Sequence, residues 1–350
     1  MVKLTKKAWI ELAVGVAVFG ALITVAAFLD LQINKALYFP GCFYGQFFAN
    51  LGETPTYIAA PVIGMLLFLQ GFGKNKAVRI LLKVLFGLLV AGGWYFCMHW
   101  FWGRFAAEPF SFAIAYQIAF ALVMTGFTFA IGLLIPKPLA KKLLWFALFY
   151  LFIAVFVNGV IMGMKELWAR ERFRVMVGAL DRSAVPNGNY QGFTPWYLPQ
   201  GFADRAPAYV VSMENIDTTV FGHTGDAFKS FPSGHSGAAA AIMALIILPD
   251  IFPKTLGGWK KKLLWIFPLA YIGAVALSRI IVGAHYLSDV TFGGFIGIGF
   301  AVLMRWVLIS GVKNLNQEPE AVAEAVEAPA EIDEAAAETA AETAEVSAEN

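Results

Sequence analysis

The chain has 350 residues and a formal net charge of +2, and 59% of its side chains are hydrophobic against only 14% charged. With a mean hydropathy of +0.67, this composition excludes a soluble globular protein and describes an all-α polytopic membrane protein. Two cysteines, Cys42 and Cys97, exclude a cysteine-built metal cluster or a disulfide framework, and no nucleic acid is expected among its partners.

Apolar runs of spanning or near-spanning length fall at 8–29, 56–72, 80–98, 110–135, 143–164, 236–252, 263–282 and 288–310, which predicts about eight transmembrane helices. The first run is too long for a signal-peptide core, so it is expected to be a retained span. Between the first two runs, FPGCFYGQFFANLGETP reads as a loop whose aromatic residues suit a membrane interface and act as a packing lid. Pro61 makes the second span the shortest. The third ends in GGWYFCMHWFWGRF, where His99 sits in an aromatic cluster and is expected to play an interfacial part. Of the two ionisable residues singled out in the spans, Glu11 and Lys83 both lie near span ends with no obvious partner in the sequence.

The fifth span ends in KELWARERF, where Lys165 and Arg172 are seven apart and, on a continuous helix, share a face two turns apart. Two cations so placed clamp one anion; Arg170 and Arg174 are neighbouring candidates. A polar segment follows from Phe173 to Lys229, containing VPNGNYQGFTPWYLPQGF. It is too long for a turn, and it offers Trp196 and Tyr197 as interfacial anchors, Arg182 and Arg205 as cations, and His223 as a loop histidine.

Then comes KSFPSGHSG, Lys229 to Gly237, before the apolar run that starts at Ala238. The order Pro-Ser-Gly-His predicts a Pro-started helix whose first N–H groups meet an anion, with Gly234 allowing close approach and His235 available for proton transfer. Downstream, SRIIVGAHYLSD supplies Arg279 for phosphate oxygens and places His285 and Asp289 four apart, on one face if the stretch is helical. An Asp–His pair orients and activates an imidazole.

These three stretches, in this order and spacing, resemble the signature motifs of the type-2 phosphatidic acid phosphatase superfamily, which also contains vanadium-dependent haloperoxidases and glucose-6-phosphatases. One departure is that the first motif usually ends Arg-Pro, whereas Arg172 is followed by Phe173. The resemblance implies a six-helix phosphatase core and a lipid phosphate or diphosphate substrate. It implies His285 as nucleophile, Asp289 orienting it, and His235 as general acid and base. Lys165, Arg172, Ser233, Gly234 and Arg279 are then the phosphate-binding set, with no metal and no cofactor. A lipid phosphotransferase, a haloperoxidase, and a transporter or scaffold built on an inactive relative are the alternative readings.

Residues 1–75 then read as an added N-terminal helix pair with a structural or partner-binding role, 76–315 as the phosphatase core, and 316–350 as a tail. After Asn316 the tail carries eleven acidic residues and no basic one, so it is expected to be disordered. Sixteen basic residues, among them Lys74, Lys141, Lys260 and Arg305, cluster at alternate span ends. By the positive-inside rule those ends and both termini are cytoplasmic, and all three motifs face outward across the plasma membrane.

Overall fold

Residues 6–105, 110–178, 192–201, 227–312 and 315–317 are described by a computed structural model, and among them all regular structure is helical. Eight helical spans are long and apolar enough to cross a membrane, from Ala8–Leu37 to Leu287–Gly311. The chain is thus a multi-pass helical membrane protein. Arg182, Arg205, His223 and the acidic tail lie outside the described residues.

The elements are α1 (Lys6–Leu37), α2 (Phe43–Leu51), α3 (Thr54–Tyr57), α4 (Ala59–Gln70), α5 (Lys76–Phe105), α6 (Phe110–Gly132), α7 (Lys137–Trp168) and α8 (Phe173–Gly178). They continue with α9 (Gly234–Ala239), a 3-10 segment (Ala240–Ile247), α10 (Leu248–Ile251), α11 (Gly258–Ile281) and α12 (Leu287–Gly311). Two of these differ from the pattern of apolar runs in ways that bear on function. The first helix continues past residue 29 to Leu37, which carries Asp30 and Asn34 along with it. The stretch read as a lid loop is instead the helical pair α2 and α3, which together with α4 makes up the second span.

Apolar side chains of α7 (Ile153, Val157, Ile161), of the 3-10 segment (Met243, Ile246, Ile247) and of α11 (Ile272, Val275) form one buried core. α12 closes against it through glycines. A Cβ on Gly297 would stand 2.2 Å from the Ala240 Cβ, and one on Gly293 would stand 2.3 Å from the Ser233 carbonyl oxygen. The missing side chains therefore let α12 reach the loop that starts α9, which is how two distant stretches of chain come to share one site.

At the far end of α12, Arg305 makes a paired contact with Asp250 (2.5 and 2.9 Å) and lies 3.6 Å from Glu11, while Trp306 Nε1 donates to Glu11 at 3.3 Å. Glu11 therefore does have a partner, contrary to its reading from sequence. Arg305 is almost fully buried, so part of the charge counted for that end is neutralised in place. Sixteen residues of helix, roughly 24 Å at 1.5 Å per residue, separate Asp289 from this cluster.

Candidate active site

α7 stops at Trp168 because Ala169 takes a left-handed conformation (φ 42°, ψ 40°) and its N–H caps Lys165 O at 3.2 Å. For a residue with a Cβ that conformation costs about 1–2 kcal/mol, so the surrounding contacts must hold it. Lys165 and Arg172 consequently do not share a helix face. They converge because the chain turns, not because of helical periodicity. Backbone bonds fix the turn against the second motif: Arg172 N–H donates to Ala227 O at 2.9 Å and Ser230 N–H to Arg170 O at 3.0 Å. Phe173, where the family pattern has proline, is buried and packs edge-on against Tyr38 and Tyr286.

In the second motif Ser233, not Pro232, is the N-cap of α9. Its Oγ accepts from Ser236 N–H at 3.3 Å and it is fully buried, so the hydroxyl assigned to phosphate from sequence also caps the helix. Gly234 leaves room for Lys165: a Cβ there would lie 3.4 Å from the lysine Cε and 4.0 Å from Nζ. Lys165 Nζ donates to Lys229 O at 2.5 Å, and Lys229 pairs with Glu166 at 2.7 Å.

The third motif also departs from simple helical spacing. α12 begins at Leu287 after the N-cap Tyr286, so His285 precedes the helix and Asp289 is its third residue. The Asp289 carboxylate turns back to accept Tyr286 N–H at 2.8 Å, and this capping geometry, rather than a common helix face, brings it towards His285. His285 Nδ1 lies 2.6 Å from the Ser230 carbonyl oxygen and 3.8 Å from Asp289 Oδ2. The direct acceptor is therefore a backbone oxygen of the second motif. With Nδ1–H donating there, Nε2 carries the lone pair.

Asp289 is held by other groups: Ser230 Oγ donates to Oδ2 at 2.5 Å and Arg170 to Oδ1 at 2.6 Å. Arg170, 1% exposed, also reaches Asp30 of α1 at 3.0 Å, Ser288 Oγ at 2.7 Å and Thr194 O at 2.8 Å, and it lies 4.1 Å from the Tyr286 ring centroid. A guanidinium between two carboxylates offsets one of their two negative charges, and hydrogen bonds from Ser288 N–H to Asp30 and from Ser230 Oγ to Asp289 help hold the other. Thr194 belongs to the polar segment, and there Trp196 packs on Phe292 at 5.0 Å.

His285 and His235 stand with ring centroids 6.5 Å apart. Lys165, Arg172 and Arg279 are all buried (6%, 5% and 3% exposed); the first two act on the His285 ring through their charge, and the backbone oxygen of Arg279 accepts His285 N–H at 3.2 Å. Burial above all, and next the nearby Arg172 and Lys165 charges, hold the His285 imidazole well below its ordinary value, against the opposing pull of Asp289. A neutral imidazole with Nδ1–H donated to a carbonyl keeps its lone pair on Nε2. The second and third motifs thus meet, with Ser233 capping α9 and the His235 and His285 rings 6.5 Å apart.

Four contributors were missed. Asp30 fixes Arg170, Asn34 Nδ2 donates to His285 O at 3.0 Å, Ser230 holds both His285 and Asp289, and Glu53 Oε1 lies 3.1 Å from His235 Nδ1. Asp30 and Glu53 carry a signal that sequence reading could have used, since a carboxylate in or beside a spanning run must be compensated. His99 is elsewhere, bonded to Gln117 at 3.0 Å and stacked on Tyr95. Cys42 and Cys97 are both free thiols.

Residues 187–310 match the family model described as the PAP2 superfamily. Two curated relatives are each named lipid A 1-phosphatase. The one from Rhizobium johnstonii is 37% identical over 82 residues, covering 23% of this chain and 28% of the relative. That from Rhizobium etli is 36% identical over 86 residues, covering 25% and 32%. The matched stretch thus spans less than a third of either relative's length. No solved structure matches the chain. The family match takes in the second and third motifs and leaves Lys165 and Arg172 to be placed by geometry, so what the comparisons establish is a similarity of residues 187–310 to the PAP2 superfamily.

Proposed function

We propose that the protein is a lipid phosphate phosphatase that works through a phosphohistidine on His285. The observation that carries this reading is the His285 environment: Nδ1 is fixed on Ser230 O at 2.6 Å, a second histidine stands 6.5 Å away, and the charges of Arg172 and Lys165 act on the ring. In the reaction His285 Nε2 attacks phosphorus while Lys165, Arg172, Arg279 and the Gly234 amide neutralise charge on the phosphoryl oxygens. The positive charge that forms on the ring is stabilised by Ser230 O and, one shell out, by Asp289. His235 gives a proton to the departing oxygen, and then takes one from the water that splits the phosphoenzyme. Cationic side chains supply the charge neutralisation that a metal supplies elsewhere.

The site faces outward from the plasma membrane, with the acidic tail on the cytoplasmic side; the alternation of basic span ends supports this orientation. The names of the relatives make a glycolipid phosphate the first substrate to offer, ahead of phosphatidate, phosphatidylglycerophosphate and polyprenyl diphosphate. The test is the purified protein in detergent with this panel, measuring released phosphate with and without vanadate. Vanadate-sensitive release from at least one lipid is expected, and no release from any of them would sink the reading.

A further inference from the structure

The N-terminal elements reach into the site through Glu53. This residue lies between α2 and α3, is 8% exposed, and has both carboxylate oxygens occupied. Oε1 faces His235 Nδ1 at 3.1 Å, while Oε2 accepts from Tyr57 Oη at 2.5 Å and Trp100 Nε1 at 3.1 Å. The other nitrogen of His235, Nε2, lies 3.0 Å from the carbonyl oxygen of Ala49, on α2. Both ring nitrogens therefore face acceptors, an arrangement that only the doubly protonated imidazolium satisfies with two donated hydrogen bonds. Lys165 on α7 stands beside Gly234, the residue before His235, and a cation near the ring works against that form unless a carboxylate offsets it.

We propose that Glu53 is the positioning residue for the proton donor. Its carboxylate anchors His235 through Nδ1, fixing the ring plane and favouring the protonated ring. Nε2–H is then free to exchange the Ala49 carbonyl for the departing oxygen of the substrate. When the phosphorus–oxygen bond breaks, the Nε2 proton moves to that oxygen and leaves neutral His235 with Nδ1–H still donating to Glu53. The ring is then ready to accept a proton from water in the second step. The site so described has two carboxylate-supported histidines: Asp289 stands behind His285, and Glu53 stands behind His235. The second support comes from a segment outside residues 187–310, where the family match lies.

This inference rests on the phosphatase reading, and a leaving-group comparison separates the two. Wild type, His285→Ala, His235→Ala, Glu53→Gln and the Glu53→Gln/His235→Ala double variant are assayed on an alkyl phosphate lipid and on p-nitrophenyl phosphate, each checked for folding by size-exclusion chromatography in detergent. Glu53→Gln is expected to lose roughly 10- to 100-fold on the alkyl substrate and under about threefold on the aryl one, because only a poor leaving group needs the acid. Within the His235→Ala background the same change is expected to cost less than about twofold, since the two residues act as one unit.

Equal losses on both substrates, or additive losses in the double variant, would assign Glu53 a purely structural role and overturn the proposal. Should Glu53→Gln not accumulate as folded protein, Tyr57→Phe decides. It keeps the carboxylate and removes one donor that holds it, so a roughly fivefold loss confined to the alkyl substrate is expected, and an equal effect on both substrates, or none on either, overturns the proposal. A wild type that releases no phosphate, or a His285→Ala variant that still does, is instead a failure of the phosphatase reading itself.

Discussion

Asp289 bonds more closely to Arg170, at 2.6 Å, than to His285, whose Nδ1 is 3.8 Å from the nearest carboxylate oxygen. The aspartate is therefore as much a structural anchor as a partner of the proposed nucleophile. Arg170→Ala leaves Asp30 and Asp289 buried and uncompensated, and breaking such a cluster costs about 3–5 kcal/mol. The expected outcome is a clear fall in the thermal unfolding midpoint in detergent. Arg172→Ala is expected to abolish phosphate release with a much smaller effect on that midpoint. Equal destabilisation by both would contradict this division.

A second expectation concerns pH. His285 is held well below its ordinary value mainly by burial, and its neutral form is the nucleophile. Activity is then present above the depressed folded value and is lost only as pH falls through it. Between pH 8 and about 6.5, the ordinary histidine value, the acid limb of kcat/KM on p-nitrophenyl phosphate, corrected for the substrate's own ionisation, should not yet have begun. A limb centred at or above pH 6.5 would show that His285 is not shielded in this way.

Much of the site was legible in the sequence because its residues are polar in a greasy chain and lie in three short motifs. What could not be read was how they meet. Lys165 and Arg172, and likewise His285 and Asp289, look like helical neighbours by spacing, yet a left-handed Ala169 and an N-cap at Tyr286 break the helices between them. The direct acceptor for His285 is the Ser230 backbone, which no side-chain pattern reveals. Asp30 and Glu53 were passed over because their segments read as a plain span and a loop, while their partners Arg170 and His235 lie 140 and 182 residues further along the chain. The eight spans themselves follow from apolar run length alone, though not the helical character of Phe43–Leu51.

The close approach of α12 to the Ser233 loop gives a third prediction. Gly293→Ala drives a Cβ to 2.3 Å from a backbone oxygen that has little freedom to move, whereas Gly299→Ala meets nothing within 4 Å. The first is expected to cost about 1–3 kcal/mol, the usual scale of overpacking, and to lower phosphate release with it. The second should be silent in both unfolding midpoint and turnover. Indistinguishable variants would mean that α12 does not seat as described.

Orientation is tested with single cysteines in a background lacking Cys42 and Cys97. An impermeant thiol reagent on intact cells should label position 197, where Tyr197 is half exposed, and should spare positions 74 and 260. Labelling at 74 or 260 but not at 197 would invert the proposed topology.

The central claim is that His285 carries the phosphoryl group, and trapping that group tests it most directly. Purified protein is exposed briefly to a substrate labelled in the transferred phosphate, quenched in alkali, and digested to locate the label. The account predicts alkali-stable, acid-labile phosphohistidine on the peptide that contains His285, absent from His285→Ala and, with p-nitrophenyl phosphate, whose leaving group does not need the acid, increased in His235→Ala because discharge by water is slowed. Label of equal intensity in His285→Ala and wild type, or label on another residue, would contradict it.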